Sequence, residues 1–418
     1  MPQPNYLKNT QFVFIASKLL NSSLGAMYGL LAFILCKQCH ATPLQITLLV
    51  SSKPLVAIVS FYGFLFIKNK PHRLKTLIIA STLLSFIPCF LFPFISTGWF
   101  FIFAFALFMM SARAMLPAWS EVFKLNIEAE KRGAVFSKGS TINYLSNIGL
   151  PLLIAPIMDY YPPSWKWIFF GLAFIQLLDL IILAKLKINF KNQPSSENSP
   201  SKKSFSIHSL IVGPWKNSWN LMKFRPDFRN YQIVFMFGGT GLILAHPVLP
   251  IFFEQVLHLS YTEMAFAVSV CKGIGFALTS PVWAKWFNRI SIHLFNFHVT
   301  AFAGIFALLF VWMNNQVGWV YLAYFIYGVM QAGSELSWNL AGPRFAKNED
   351  STLFTSVNVA MVGLRGCVAP FFGQLLFLSS NFTVVFLCSA LFCFSGAFYS
   401  AVLEIRNRKS AQIISQII

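Results

Sequence analysis

Nine ionisable side chains lie inside otherwise apolar stretches of the chain. Six are cations, Lys18, Lys53, Arg113, Lys138, Lys272 and Arg365, and three are acids, Glu121, Asp179 and Glu335. In hydrocarbon such a group is costly unless it meets a partner or a water-filled space. Two kinds of chemistry are therefore open. Cations in excess of acids hold an anion by charge-assisted hydrogen bonds, and Lys53, Arg113, Lys272 and Arg365 lie deepest in their apolar runs. A carboxylate or imidazole among them exchanges a proton. Glu335, on a strongly polar stripe, is the first candidate for that role. His246, in "LILAHPVLP", is the second, since imidazole titrates near neutrality, although a hydrogen-bonded packing histidine fits the same position. Glu121 and Lys138 suit a salt bridge, structural or gating. Lys18 either faces an interior or snorkels to an interface.

The elements that position these groups follow from composition. The 418 residues are 56% hydrophobic and 11% charged, with 47 Phe, and the mean hydropathy is +0.63. That is too little charge to coat a water-facing surface. Apolar runs of about 20 residues, the length that crosses a bilayer as a helix, recur along the chain. Twelve spans are expected, near 12–36, 44–67, 74–97, 98–122, 134–158, 165–185, 231–253, 262–284, 292–313, 317–341, 353–378 and 383–403. The fold class is an all-α polytopic membrane protein.

The net charge of +19 is topological. Of 32 Lys and Arg, 24 fall in segments on one side of these spans, two on the other and six within them. The positive-inside rule then places both termini in the cytoplasm. A nucleic-acid partner is excluded on the same ground, and the partners expected are a lipid bilayer and a small molecule.

Four domains are expected: a six-helix bundle over 1–185, a basic linker over 186–230, a second bundle over 231–404 and a cytoplasmic tail over 405–418. Within the linker, "NQPSSENSPSKKS" should be solvated, and the Trp- and Lys-containing stretch after it suits a short interfacial helix. A shift of 219 residues pairs Lys53 with Lys272, Trp119 with Trp338, Glu130 with Glu349, Ser137 with Ser356 and Pro151 with Pro370. It also superposes span two on eight, four on ten and five on eleven, so the halves read as a duplication.

Polar residues fall on stripes of helical period. Span one carries Lys18, Asn21, Ser22 and Gly25. Span five carries Ser140, Asn143 and Asn147. Span ten carries Gln331, Glu335, Trp338 and Asn339, and span eleven Ser351, Asn358 and Arg365. Four such stripes imply a shared hydrated interior. Trp338, like Trp119, lines it or anchors at the interface. Asp179 and Gln176 on span six fit no stripe and receive no role.

In its six-plus-six spans, basic central loop and pseudo-repeat, the chain resembles the major facilitator superfamily. Local motifs match in part. The loop "GFLFIKNKPHR" keeps Gly63 and the basic cluster of G-x-x-x-D-R-x-G-R-K but has Ile67 at the Asp position. Arg113 matches the fourth-span arginine of Arg-x-x-Gln-Gly, but Leu116 and Pro117 stand at the Gln and Gly positions. "APFFG" echoes the drug-antiporter element in span eleven, but span five lacks it. The resemblance implies a monomeric secondary transporter in a bacterial inner membrane, with a central site reached by alternating access.

"CKQCH" at residues 36–40 matches a haem-attachment pattern. The alternatives are a Cys36–Cys39 disulfide, a metal contact or two ordinary cysteines. No nucleotide-binding, metalloprotease or serine-hydrolase motif occurs, so neither an enzyme nor a cofactor is expected. The reading that results is a secondary transporter of a small anionic solute, coupled to protons. Substrate contacts would come from Lys53, Arg113, Asn143, Lys272, Trp338, Asn339, Asn358 and Arg365, coupling from Glu335 and His246, and gating from Glu121 and Lys138. A multidrug or metabolite exporter and a non-transporting membrane sensor are the rival readings.

Overall fold

The structure is a computed structural model that describes residues 6–67, 73–189, 207–313, 316–346 and 351–417. Fifteen α-helices are present among them, and no strand. Six precede the linker: α1 (Tyr6–Cys39), α2 (Pro43–Ile67), α3 (Leu74–Phe86), α4 (Gly98–Asn126), α5 (Ala129–Tyr160) and α6 (Ser164–Ala184). The amphipathic helix α7 (Ile207–Phe224) follows, with Trp219 exposed. The stretch "NQPSSENSPSKKS", expected as a solvated linker, lies outside the described residues.

Two later spans are broken, the first where Pro247 removes a regular hydrogen bond. His246 and Pro247 divide span seven into α8 (Pro226–Ala245) and α9 (Val248–Gln255). Span eight runs as α10 (Tyr261–Ala265), a six-residue π-helical stretch and α11 (Lys272–Arg289). Then come α12 (Ile292–Val311), α13 (Val317–Ala346), α14 (Ser351–Ser379) and α15 (Phe382–Ile417). Span three also changes form: α3 tightens into a 3₁₀ helix over Ile87–Phe94, where Pro88 and Pro93 withhold two N–H donors. The tail expected from 405 is not separate, because α15 continues through it.

Ten helical segments among the described residues are long and apolar enough to cross a membrane. With α2 and α13 the spans number twelve; in α13 the run is diluted by Gln331, Ser334 and Glu335. Large apolar side chains such as Leu153, Tyr160, Leu391 and Phe398 face outward, as lipid-facing surfaces require.

The helices cluster into two compact units. The first holds α1–α6 together with α10, and the second holds α7–α9 and α11–α15. Asp159 at the end of α5 explains the place of α10. Its carboxylate accepts from the Tyr261 and Thr262 N–H groups at 2.7 and 2.9 Å and from the Thr262 hydroxyl at 2.5 Å. It thereby satisfies N–H groups that a helix start leaves open.

In the first unit α1 packs on α5, α6 and α4, and α3 on α4 and α6. Its core includes Phe14, Trp119 and Phe123. In the second unit α8 packs on α14 and α15, and α11 on α13. The α11–α13 contact depends on small residues. A Cβ at Gly328 would lie 2.0 Å from the Lys272 carbonyl oxygen, and one at Gly275 2.2 Å from that of Phe325.

Candidate functional site

Each unit contains a cavity that holds a cation against an aromatic ring. The cleft of the first unit encloses about 210 Å³. Lys18, Asn21, Asn143 and Asn147 form its polar wall, and Phe14, Phe108, Trp119, Phe123 and Phe136 line the rest. The stripe on α1 sets this up: at spacings of three and four, Lys18, Asn21, Ser22 and Gly25 share one face. The Lys18 ammonium stands 5.5 Å above the Phe14 ring. Phe14 in turn meets Trp119 edge-on at 5.0 Å and Phe123 at 4.8 Å. Asn147 Nδ2 donates to the Asn143 carbonyl at 2.7 Å, which fixes the amide on the polar wall. Lys18 therefore turns to the cleft and does not snorkel.

The cavity of the second unit is smaller, about 50 Å³, and Arg365 of α14 reaches into it from one side. Arg365 Nη1 donates to the Phe235 carbonyl at 2.7 Å, and the guanidinium lies 4.5 Å from the Phe235 ring. Gly239 makes room for it; a Cβ there would fall 1.7 Å from Nη1. Nε is sealed from solvent and makes no hydrogen bond among the described residues. The same is true of Asn296 Nδ2, which lines the same cavity. Asn296 Oδ1 is occupied by the Ser337 hydroxyl at 2.8 Å, and Tyr231 donates to the Ser337 carbonyl at 3.1 Å. Two orphan donors, one of them cationic, thus meet in one small space. Among the described residues no carboxylate lies within salt-bridge distance of Arg365. A buried charge without a counter-ion carries a large desolvation cost, and an anion in the cavity would offset it.

The other residues singled out from the sequence fall in several places. Asn143 lines the first cleft, whereas Arg113, half-buried on α4, lies off that face, which Ala112 and Met115 present. Lys53 is exposed on α2, and Lys272 is half-buried at the start of α11. Trp338 stacks on Phe235 at 5.8 Å. Asn358 is buried and its groups are used within the unit: Gln232 Nε2 donates to its Oδ1, and its Nδ2 donates to the Trp338 carbonyl at 3.4 Å. It clips α8, α13 and α14 together rather than facing a cavity. The side chain of Asn339 lies outside the described residues.

One pairing and one acid differ from the sequence expectation. Glu121 bonds Lys124 on its own helix at 3.5 Å, and Lys138 is exposed on α5. The i, i+3 partner is simply nearer than one on the next helix. Glu335 is exposed and accepts from Gln331 Nε2 at 3.2 Å, so it lacks the burial expected of a coupling acid. His246 is half-buried at the break after α8, where its N–H reaches the Ile243 carbonyl at 3.3 Å. Cys36 is buried, Cys39 is half-buried, and no disulfide forms among the described residues.

Sequence reasoning left Phe235, Asn296 and Ser337 without a role, since a lone Asn or Ser in an apolar run gives no signal of its partner. Lys18 did carry one, its stripe with Asn21.

Comparison with known proteins agrees with this architecture. No curated protein is significantly similar in sequence. Among solved structures, a POT family transporter in complex with 5-aminolevulinic acid superposes with a TM-score of 0.74 at 12% identity, covering 96% of both chains. The peptide transporter POT in complex with sulfate gives 0.72 at 13% identity, covering 95% of this chain and 94% of that one. The nucleoside transporter NupG gives 0.69 at 12% identity, over 94% and 98%. These likenesses establish the fold. The sequence profile of the Major Facilitator Superfamily matches residues 10–370, and the chain, with twelve spans in two helical units, belongs to that superfamily of membrane transporters.

Proposed function

We propose that this transporter is a secondary active carrier for a small anionic solute, working by alternating access and coupled to protons. One observation carries the anionic assignment: the Arg365 guanidinium is held by a carbonyl and a ring, keeps an unbonded Nε, and has no carboxylate at salt-bridge distance among the described residues. Arginine presents several donors in a fixed fork and suits carboxylate or phosphate. In the first unit the aromatic-lined cleft has its own positive group, Lys18. Rings opposite amides favour a solute with a planar apolar body and one charged end. The positive-inside distribution of Lys and Arg supports a plasma membrane location with both termini cytoplasmic.

Counterflow in proteoliposomes tests this reading. Labelled benzoate, inorganic phosphate and a nucleoside monophosphate would be compared with neutral analogues of similar size. The expected result is exchange of at least one anion, with no exchange of its neutral analogue, falling more than tenfold in Arg365→Gln. Equal exchange of neutral and anionic members, or full activity in Arg365→Gln, would remove the assignment.

A further inference from the structure

Asp179 of α6 is fully buried, one side chain behind the first unit's cleft. Its Oδ2 accepts from the Ser17 hydroxyl at 3.1 Å, whereas Oδ1 makes no hydrogen bond among the described residues. Three residues earlier, and so neighbouring it on the same helix face, Gln176 is also fully buried. Gln176 Nε2 donates to the Leu20 carbonyl at 2.9 Å, and its Oε1 again lacks a donor. Two sealed acceptors therefore stand on adjacent positions with no hydrogen between them. Buried polar atoms are rarely left so. A proton on Asp179 Oδ1 would turn that atom from an unmet acceptor into a donor, and Gln176 Oε1, one turn back on the same face, is the acceptor that lacks one.

The charges around Asp179 are few. From α1 come Lys18, its one charged neighbour among the described residues, and the Asn21 amide, a neutral hydrogen-bond donor to the carboxylate beside the Ser17 hydroxyl. From α3 comes Lys75, whose ammonium is committed to the Ala184 carbonyl at 2.5 Å, more than a turn further along α6. The 3₁₀ stretch after α3 supplies Cys89, which shares a hydrogen bond with the Tyr28 hydroxyl at 3.3 Å. On α5, Lys138 is exposed. Ser17, Lys18 and Asn21 themselves line the cleft, so they connect the acid to it.

We propose that Asp179 is a proton-binding site whose occupancy sets the charge that Lys18 presents to the cleft. With Asp179 ionised, the carboxylate lies behind the ammonium and cancels much of its field. When a proton from the cleft forms an O–H bond at Oδ1, the side chain becomes neutral and Lys18 is left as an uncompensated positive charge. The cleft then favours an anion, and the anion in turn favours the proton, since linkage is reciprocal. Proton and anion bind together, as co-transport requires. The inference rests on the anionic-solute reading for its second half only; the proton site stands on the buried acceptors.

Two measurements on the purified full-length protein separate the halves. The first is infrared difference spectroscopy of the ligand-free protein on acidification. Wild type is expected to show a carboxylic-acid band that is absent in Asp179→Asn, returns in Asp179→Glu, and shifts in Gln176→Leu, which removes the proposed acceptor. An unchanged band in Asp179→Asn would overturn the proton site. The second is benzoate binding against pH in weak buffer, with proton uptake read by an indicator dye. Wild-type affinity should rise about tenfold per pH unit on acidification, the limit for one linked proton, with uptake of one proton per anion. Asp179→Asn should bind without proton uptake and without pH dependence. If Asp179→Asn keeps proton uptake and the pH dependence, the coupling is refuted while the anionic reading survives. If wild type binds no anion of the series used for counterflow, the switch fails with that reading, and the infrared band alone upholds the proton site.

Discussion

The two units place a cation, a ring and an indole together in related but unequal ways. In the first, Lys18 stands over Phe14 and Phe14 meets Trp119. In the second, Arg365 stands over Phe235 and Phe235 stacks on Trp338. The indoles are repeat mates, but the cation comes from α1 in one unit and from α14 in the other. Among the described residues only the first has an acid behind its cation, and its cleft encloses about 210 Å³; the second has about 50 Å³ and a guanidinium already packed in place. The two units share an aromatic frame while their charge is distributed differently. One unit thereby gains a fixed anchor and the other a charge that a proton can alter.

Substitutions should break this contrast in order of size. Arg365→Gln removes charge-assisted hydrogen bonds of about 1.5–3 kcal/mol, so anion affinity by equilibrium binding should fall about 10- to 100-fold. Arg365→Lys should recover little of it, because an ammonium cannot both fork and stack. Gly239→Ala places a methyl group where Nη1 lies, 1.7 Å away. Overpacking there should cost about 1–3 kcal/mol in thermal unfolding and lower anion affinity by displacing the guanidinium. Its counterpart in the cleft, Gly25→Ala, meets Phe108 at 3.7 Å and Asn147 Oδ1 at 3.9 Å, both ordinary contacts, and should change stability by less than about 0.5 kcal/mol. Lys18→Gln should weaken anion binding at acid pH at least about tenfold, because the linked proton acts through this charge, and abolish its dependence on pH. Least of all should be the effect of Asn126→Ala on binding. Asn126 ties Thr10, the Lys187 carbonyl and the Asn189 N–H at 2.7, 2.7 and 2.8 Å. Its loss should cost about 1–3 kcal/mol of stability and leave anion affinity unchanged.

The spans were legible because a 20-residue apolar run has few alternatives to a membrane helix, and the charge asymmetry fixed their number. Helical period made Lys18, Asn21 and Asn143 visible as a face. Depth along a span proved a weaker guide. Lys53 and Arg365 both lie midway in their runs, yet one is exposed and the other reaches into a cavity, because rotation about the helix axis is set by packing. Glu335 and Asp179 show the same limit from the acid side. The acid on the polar stripe is exposed, and the one that fitted no stripe is sealed between α1 and α6. A stripe identifies residues that share a face, whereas a buried pair across a helix seam needs the partner helix to be known.

The most direct test of the claim that cations inside the spans serve an anion is isothermal titration calorimetry of the purified full-length protein with benzoate, phosphate and a nucleoside monophosphate. The expected result is saturable binding of at least one of these anions, weakened at least about tenfold in Arg365→Gln and absent for its neutral analogue. Equal binding of the neutral analogue, or undiminished anion binding in Arg365→Gln, would contradict it.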